Sequence, residues 1–358
     1  MSAINLGREV SLQEFARAVI ACGKDVSFIA EGEMGIGKSA MLKVVGAAYP
    51  SHIPVYLDCT LLDLGDIALP FTVDENGTRV TKFAPNGRFQ LHHGKPVIIM
   101  LDEIGKAMKA VKNALLPLMN GEKRIGDAYL HPDSIVFGTT NKMSEGIGDI
   151  LEAHARNRLC VLPVRKPTAD EWVEEFAINA DVAPEVIAWV KQFPHALASF
   201  TDESQKDNPY INHPGRAGQG AVVTPRSLEK ASHIVKMRTS LGEALTISTL
   251  AGTIGEAAAR DMQAFLTIAD KLATWDSIIA SPKSAKLPDD PVAKCIAVFG
   301  AISRVDKDTL DPFMDYIERM EGPWQALFAK SIMKSGKQSF CITNRKFKDW
   351  ALKNQWMF

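Results

Sequence analysis

Gly32-Glu33-Met34-Gly35-Ile36-Gly37-Lys38-Ser39 decides the reading of this chain. The segment fits G-x-x-x-x-G-K-[ST], in which glycines let successive backbone N–H groups curl around a β-phosphate. A helix starting where such a loop ends adds its positive N-terminal end. Lys38 puts an ammonium group against the β- and γ-phosphates, and the Ser39 hydroxyl is a ligand for Mg²⁺. The context fits: residues 26–30 form a short apolar run of strand length ahead of the loop, and residues 38–48 read as a helix behind it, closed by Pro50. Gly32, Glu33, Met34, Gly35, Ile36, Gly37, Lys38, Ser39 and Ala40 are therefore expected to line a nucleotide phosphate site.

Outward from the loop, strands and helices alternate. Residues 54–58, 97–101, 134–140 and 159–164 read as strands and 106–119 as a helix, which argues for an α/β domain with a mainly parallel sheet. Upstream, Ser11 and Glu14 form a capping box for a helix with Leu12, Phe15, Val19 and Cys22 on one face and Gly23 as its stop. The run Val97-Ile98-Ile99-Met100-Leu101 is apolar throughout, as a parallel strand covered on both faces would be. It ends in Asp102-Glu103. Alone, that pair reads equally well as an acidic helix cap. Behind a phosphate loop, Asp102 is expected to bind Mg²⁺, directly or through water, and Glu103 to act as general base on an attacking water. The run Ile135-Val136-Phe137-Gly138-Thr139-Thr140-Asn141 is another buried strand with a polar end, the edge where open parallel sheets place their chemistry. Asn141 is a candidate to hold the water or the γ-phosphate; its plainer reading is a turn asparagine.

Two insertions break the rhythm. Residues 63–91 contain Asp74-Glu75-Asn76-Gly77, a hairpin-turn signal, and residues 124–132 suggest a second, shorter hairpin. The triplet Asn76-Gly77-Thr78 fits a glycosylation acceptor but reads as a turn. Past Pro163 the pattern is helical. Thr168 and Glu171 make a capping box, residues 201–220 form a polar loop, and Thr224-Pro225 opens another helix with Thr224 as its N-cap. The organisation expected is a core at 1–164, a helical lid at 165–280 and a helical C-terminal segment at 281–358.

The order of phosphate loop, Asp102-Glu103, Asn141 and the arginines of Arg156-Asn157-Arg158 resembles the Walker A, Walker B, sensor 1 and arginine-finger series of AAA+ ATPases, over roughly residues 10–240. The two hairpin insertions resemble those of the MoxR and dynein-related branch. The resemblance implies a P-loop fold with a five-stranded parallel sheet in the order 5-1-4-3-2, followed by a helical lid. It implies ATP with Mg²⁺ as cofactors, Ser39 and Asp102 holding the metal, and assembly as a homo-oligomeric ring, most simply a hexamer. Arg156 or Arg158, with a slight preference for Arg158, would reach into a neighbouring subunit's site and stabilise charge on the transferring phosphoryl group. Arg226, in the first turn of a lid helix, resembles sensor 2; a cation there opposes the helix dipole unless an anion sits nearby. MoxR-type proteins act as chaperone-like motors, often with a von Willebrand factor A domain partner.

Composition narrows the classes. The net charge is −1, from 41 basic and 42 acidic residues, so no whole-chain pull toward nucleic acid exists. Five scattered cysteines, Cys22, Cys59, Cys160, Cys295 and Cys341, suit a reducing, cytoplasmic setting. Residues 1–10 carry no apolar signal core, and no apolar run is long enough to span a membrane. His92-His93 lacks a third nearby ligand and reads as a surface pair. The tail carries Lys330, Lys334, Lys337, Arg345, Lys346, Lys348 and Lys353 among Phe340, Phe347, Trp350, Trp356 and Phe358. It reads either as a small helical unit with an aromatic core, the favoured version, or as a platform for single-stranded nucleic acid. The leading expectation is ring-based remodelling of a protein client. A nucleic-acid-dependent motor and a slow nucleotide switch are the alternatives.

Overall fold

The computed structural model describes residues 8–142, 158–211 and 220–357. The chain divides into two compact units, residues 1–166 and 167–358.

The first unit is built on five parallel strands: β1 (Phe28–Gly32), β2 (Ile53–Asp58), β5 (Val97–Asp102), β8 (Ile135–Thr140) and β9 (Cys160–Val164). They lie in the order β2-β5-β8-β1-β9, which is 5-1-4-3-2 when only these strands are counted and the sheet is read from its other edge. All four pairings in this order are parallel.

Side chains on a strand alternate between faces, and here the alternation divides two cores. Val55, Leu57, Val97, Ile99, Leu101 and Val136 pack with Val111, Leu115 and Leu118 of helix α3 (Lys109–Met119). Phe28, Ala30, Ile98, Met100, Ile135 and Phe137 pack with Phe15 and Val19 of α1 (Leu12–Cys22) and with Met41 and Val45 of α2 (Met41–Ala48). The α1 capping box forms as expected, Ser11 and Glu14 each bonding the other's backbone. The 38–48 helix opens with a 3₁₀ turn, Lys38–Ala40, before it settles into α2. Residues 104–106 form a separate 3₁₀ turn, so α3 begins three residues later than the expected helix start at 106.

Both insertions are hairpins. The first pairs β3 (Ala68–Glu75) with β4 (Thr78–Pro85), closed by Asn76 and Gly77, both at positive φ as a two-residue turn requires. The second pairs β6 (Arg124–Ile125) with β7 (Ala128–Tyr129). They are docked to each other: the Phe83 N–H donates to the Asp127 carboxylate at 2.6 Å, and the Asp127 N–H donates back to the Phe83 carbonyl at 3.0 Å.

The second unit is helical. A single buried cluster runs from Ala169 to Trp350, so the segments expected as lid and C-terminal addition share one core. At its centre lies the helix Pro184–Gln192, whose Val186, Ile187, Ala188, Trp189 and Val190 are all buried. Such burial around the whole circumference marks a central helix. Residues 172–177, expected as ordinary helix, are wound as a π-helix. In the tail, Phe347 and Trp350 are core residues, and the Trp350 indole N–H donates to Gln325 at 2.7 Å. Lys334 pairs with Glu174 and Lys346 with Asp315, while Trp356 is exposed. No helix among the described residues is long and apolar enough to cross a membrane. All five cysteines are free.

Candidate functional site

The alternation that divides the cores also assembles the site. Tyr56 follows Val55 and precedes Leu57, so it faces the α2 side of the sheet. Asp102 follows Met100 by two residues and Thr139 follows Phe137 by two, and both face the same way. The loop between β1 and α2 passes over this face at the carboxyl ends of the strands, where an open α/β sheet leaves a crevice.

Loop conformation depends on its glycines at two points. Gly37 has φ 106°, a region that an L side chain rarely adopts. At Gly32, a Cβ would come within 2.7 Å of the Val164 carbonyl on β9. Lys38 is 5 % exposed, and its Nζ donates to the Gly32 carbonyl at 2.7 Å, the Glu33 carbonyl at 2.9 Å and Asn141 Oδ1 at 2.6 Å. The ammonium therefore closes the loop on itself and joins it to the polar end of β8. That places Asn141, the residue with the plainer reading as a turn asparagine, inside the site.

Asp102 accepts three hydroxyl hydrogen bonds. Ser39 Oγ donates to Oδ2 at 2.9 Å, Tyr56 OH donates to the same oxygen at 2.7 Å, and Thr139 Oγ1 donates to Oδ1. The Ser39 hydroxyl and the Asp102 carboxylate are hard oxygen donors side by side, and Mg²⁺ is held by one or two such protein groups plus phosphate oxygens. The donor set thus fits the expected metal. Among the described residues no group of three or more histidine, cysteine or acidic side chains is placed to hold a metal ion.

Glu103 leaves the strand in the left-handed region, φ 54° and ψ 38°. A non-glycine residue there costs on the order of 1 kcal/mol or more and needs fixing by its surroundings. The Glu103 N–H donates to Thr139 Oγ1 at 3.1 Å, and its carbonyl accepts from the Lys106 N–H at 2.9 Å. Its Oε2 lies 3.0 Å from Lys106 Nζ, an ion pair without hydrogen-bond alignment, so this buried oxygen has no hydrogen-bond donor among the described residues. This carboxylate oxygen leaves its hydrogen-bonding capacity unused among the described residues.

Tyr56, Thr139 and Lys106 escape the sequence reading. Thr139 sits in the polar strand end already singled out and Lys106 lies one helical turn from Glu103, so both had local signals. Tyr56 had none, because its role depends on β2 lying beside β5, with Tyr56 opposite Met100.

A second buried charge borders the loop. Register places Gly32 opposite Val164, which brings Lys166 to Glu33. Burial pushes the Lys166 ammonium down from 10.5 to about 8, with the Glu33 carboxylate pulling the other way. Between these two values the unfolded chain binds more protons than the folded one, so stability rises with pH through this window. Below about pH 8 the charged lysine costs the folded state about 3 kcal/mol. Lys166→Met is expected to flatten that rise; denaturant unfolding of both chains at pH 7 and pH 10.5 measures it.

Arg158 is exposed at the approach to β9, and Arg156 lies outside the described residues. Arg226 is exposed in the first turn of the helix Pro225–Lys236, whose N-cap Thr224 exchanges hydrogen bonds with Ser227. Arg226 belongs to the second unit, and Arg158 makes no ion pair with an acidic side chain among those described in the first.

Residues 28–160 match the family model of the ATPase family associated with various cellular activities (AAA). No curated protein sequence matches the chain. Similar solved structures include a lysine-to-arginine mutant of RuvB from Thermotoga maritima, 17 % identical over 86 % of this chain and 85 % of that one, at a TM-score of 0.36. A proline-to-glycine mutant of the same protein is 16 % identical over the same shares, at 0.37. NtrX from Brucella abortus is 14 % identical over 73 % of this chain and 69 % of that one, at 0.32.

Proposed function

We propose that this chain, in which residues 28–160 form an AAA-family domain, hydrolyses ATP and spends that free energy on remodelling a protein client as a MoxR-like ring. The observation that carries the reading is the meeting of Lys38, Ser39, Asp102, Glu103 and Asn141 on one edge of the sheet. In this reading Lys38 and the loop N–H groups hold the phosphates, and Ser39 with Asp102 holds Mg²⁺. The bound metal supplies charge neutralisation between the β- and γ-phosphates. Glu103 draws the proton from the attacking water, and Asn141 positions that water or the terminal phosphate.

The ring reading is supported by the exposure of Arg158. Among the first unit's described residues, the arginine nearest the expected finger position, Arg158, is exposed, and with Arg124 it helps hold the Glu122 carboxyl below its ordinary range. An exposed guanidinium suits a site completed by a neighbouring copy, most simply in a hexamer, and Arg226 would serve the same subunit. Arg158→Ala is expected to reduce turnover by about 10³-fold while sparing ATP affinity, by analogy with other fingers. Phosphate release and nucleotide titration check it; intact turnover would move the role to Arg156.

A nucleic-acid motor is less well supported, because Phe347 and Trp350 are buried and Lys334 and Lys346 are paired with acids. Phosphate release measured with and without single-stranded DNA or RNA decides between the two. Affinity capture of the client on a hydrolysis-blocked variant, and testing of a von Willebrand factor A domain protein as co-factor, follow from the favoured reading.

A further inference from the structure

We propose that Tyr56 is a positioning residue for the divalent cation, acting through Asp102; this rests on the reading of Ser39 and Asp102 as its ligands. A carboxylate offers about four lone-pair sites on two oxygens. Tyr56 takes one on Oδ2, and Thr139 takes one on Oδ1. Ser39 takes the second on Oδ2. Tyr56 and Thr139 reach the group from strands on opposite sides of β5, since β2 and β8 flank it in the sheet. The carboxylate is thus tethered at both oxygens, from both sides, and cannot swing about its Cβ–Cγ bond without breaking a hydrogen bond. Ser39 and Asp102 would hold the cation, and the Tyr56 and Thr139 hydroxyls would keep the carboxylate in one orientation for it.

The tyrosine ring does little for the fold. It is 48 % exposed and stands on β2, an edge strand. Tyr56→Phe keeps the ring and deletes the hydroxyl that makes the tether. Partners that orient a metal ligand commonly contribute a factor of about 10 or more to metal affinity.

The test is Mn²⁺ binding to the full chain with a non-hydrolysable ATP analogue, followed by electron paramagnetic resonance. This readout involves no turnover. Tyr56→Phe should raise the Mn²⁺ Kd about tenfold, with affinity for the nucleotide in EDTA unchanged. Thr139→Val should shift the Mn²⁺ Kd in the same direction. A Tyr56→Phe Kd within about twofold of the parent chain overturns the clamp, given the factor above. If Asp102→Asn also leaves Mn²⁺ binding intact, the metal reading itself falls, and the tyrosine's part falls with it.

Discussion

Glu103→Gln is expected to cut ATP turnover by about 10²–10⁴-fold, the range a positioned general base supplies, while ATP binding is retained. The substitution is nearly isosteric. The residue's left-handed backbone is held by the Thr139 hydroxyl and by the Lys106 N–H, neither of which touches the side chain. What changes is one oxygen. Oε2 has no hydrogen-bond donor among the described residues, only the Lys106 ammonium at 3.0 Å. An amide cannot accept a proton at that place, and the NH₂ of one rotamer would face a cation. Single-turnover hydrolysis and equilibrium binding of labelled ATP separate the two effects. Hydrolysis at the parent rate would remove Glu103 from the mechanism and leave the phosphate site standing.

Lys38→Met should have the next largest effect, lowering nucleotide affinity by about 10²-fold or more, since a hydrogen bond to a charged partner is worth about 1.5–3 kcal/mol. Its ammonium is buried and satisfies two loop carbonyls and Asn141. Methionine fills a similar volume but leaves those three acceptors without their donor, so the loop should loosen as well. Lys38→Arg is not expected to rescue binding, because a planar fork cannot replace a compact ammonium between three oxygens. Calorimetric titration with ADP and ATP provides the measurement. An unchanged Kd for both nucleotides would mean that phosphates do not lie across Lys38.

The fold was legible where period and chemistry coincide. Residues 97–103 announce a buried strand and its acidic end without any knowledge of neighbours, and Asn76-Gly77 announces a hairpin by turn chemistry alone. Asn141 was legible as a polar strand end, although only the Lys38 contact separates it from a turn asparagine. What stayed hidden depends on which strands are adjacent. Tyr56 lies 46 residues from Asp102 in the chain, and nothing at position 56 reveals that β2 runs beside β5. Lys166 and Glu33 were hidden for the same reason, since their approach follows from β1–β9 register. The π-helix at 172–177 begins behind a good capping box, so local signals fixed its start and not its winding. In the tail, composition showed lysines and aromatics together, and only packing shows that Phe347 and Trp350 turn inward.

The reciprocal bonds between Phe83 and Asp127 make the two insertions mechanically one object. Asp127 is only eight residues ahead of Ile135, and β8, buried along its whole length, ends beside Asn141. The insertions are thus fastened to each other in the stretch of chain that leads into β8, the strand after which Asn141 meets Lys38.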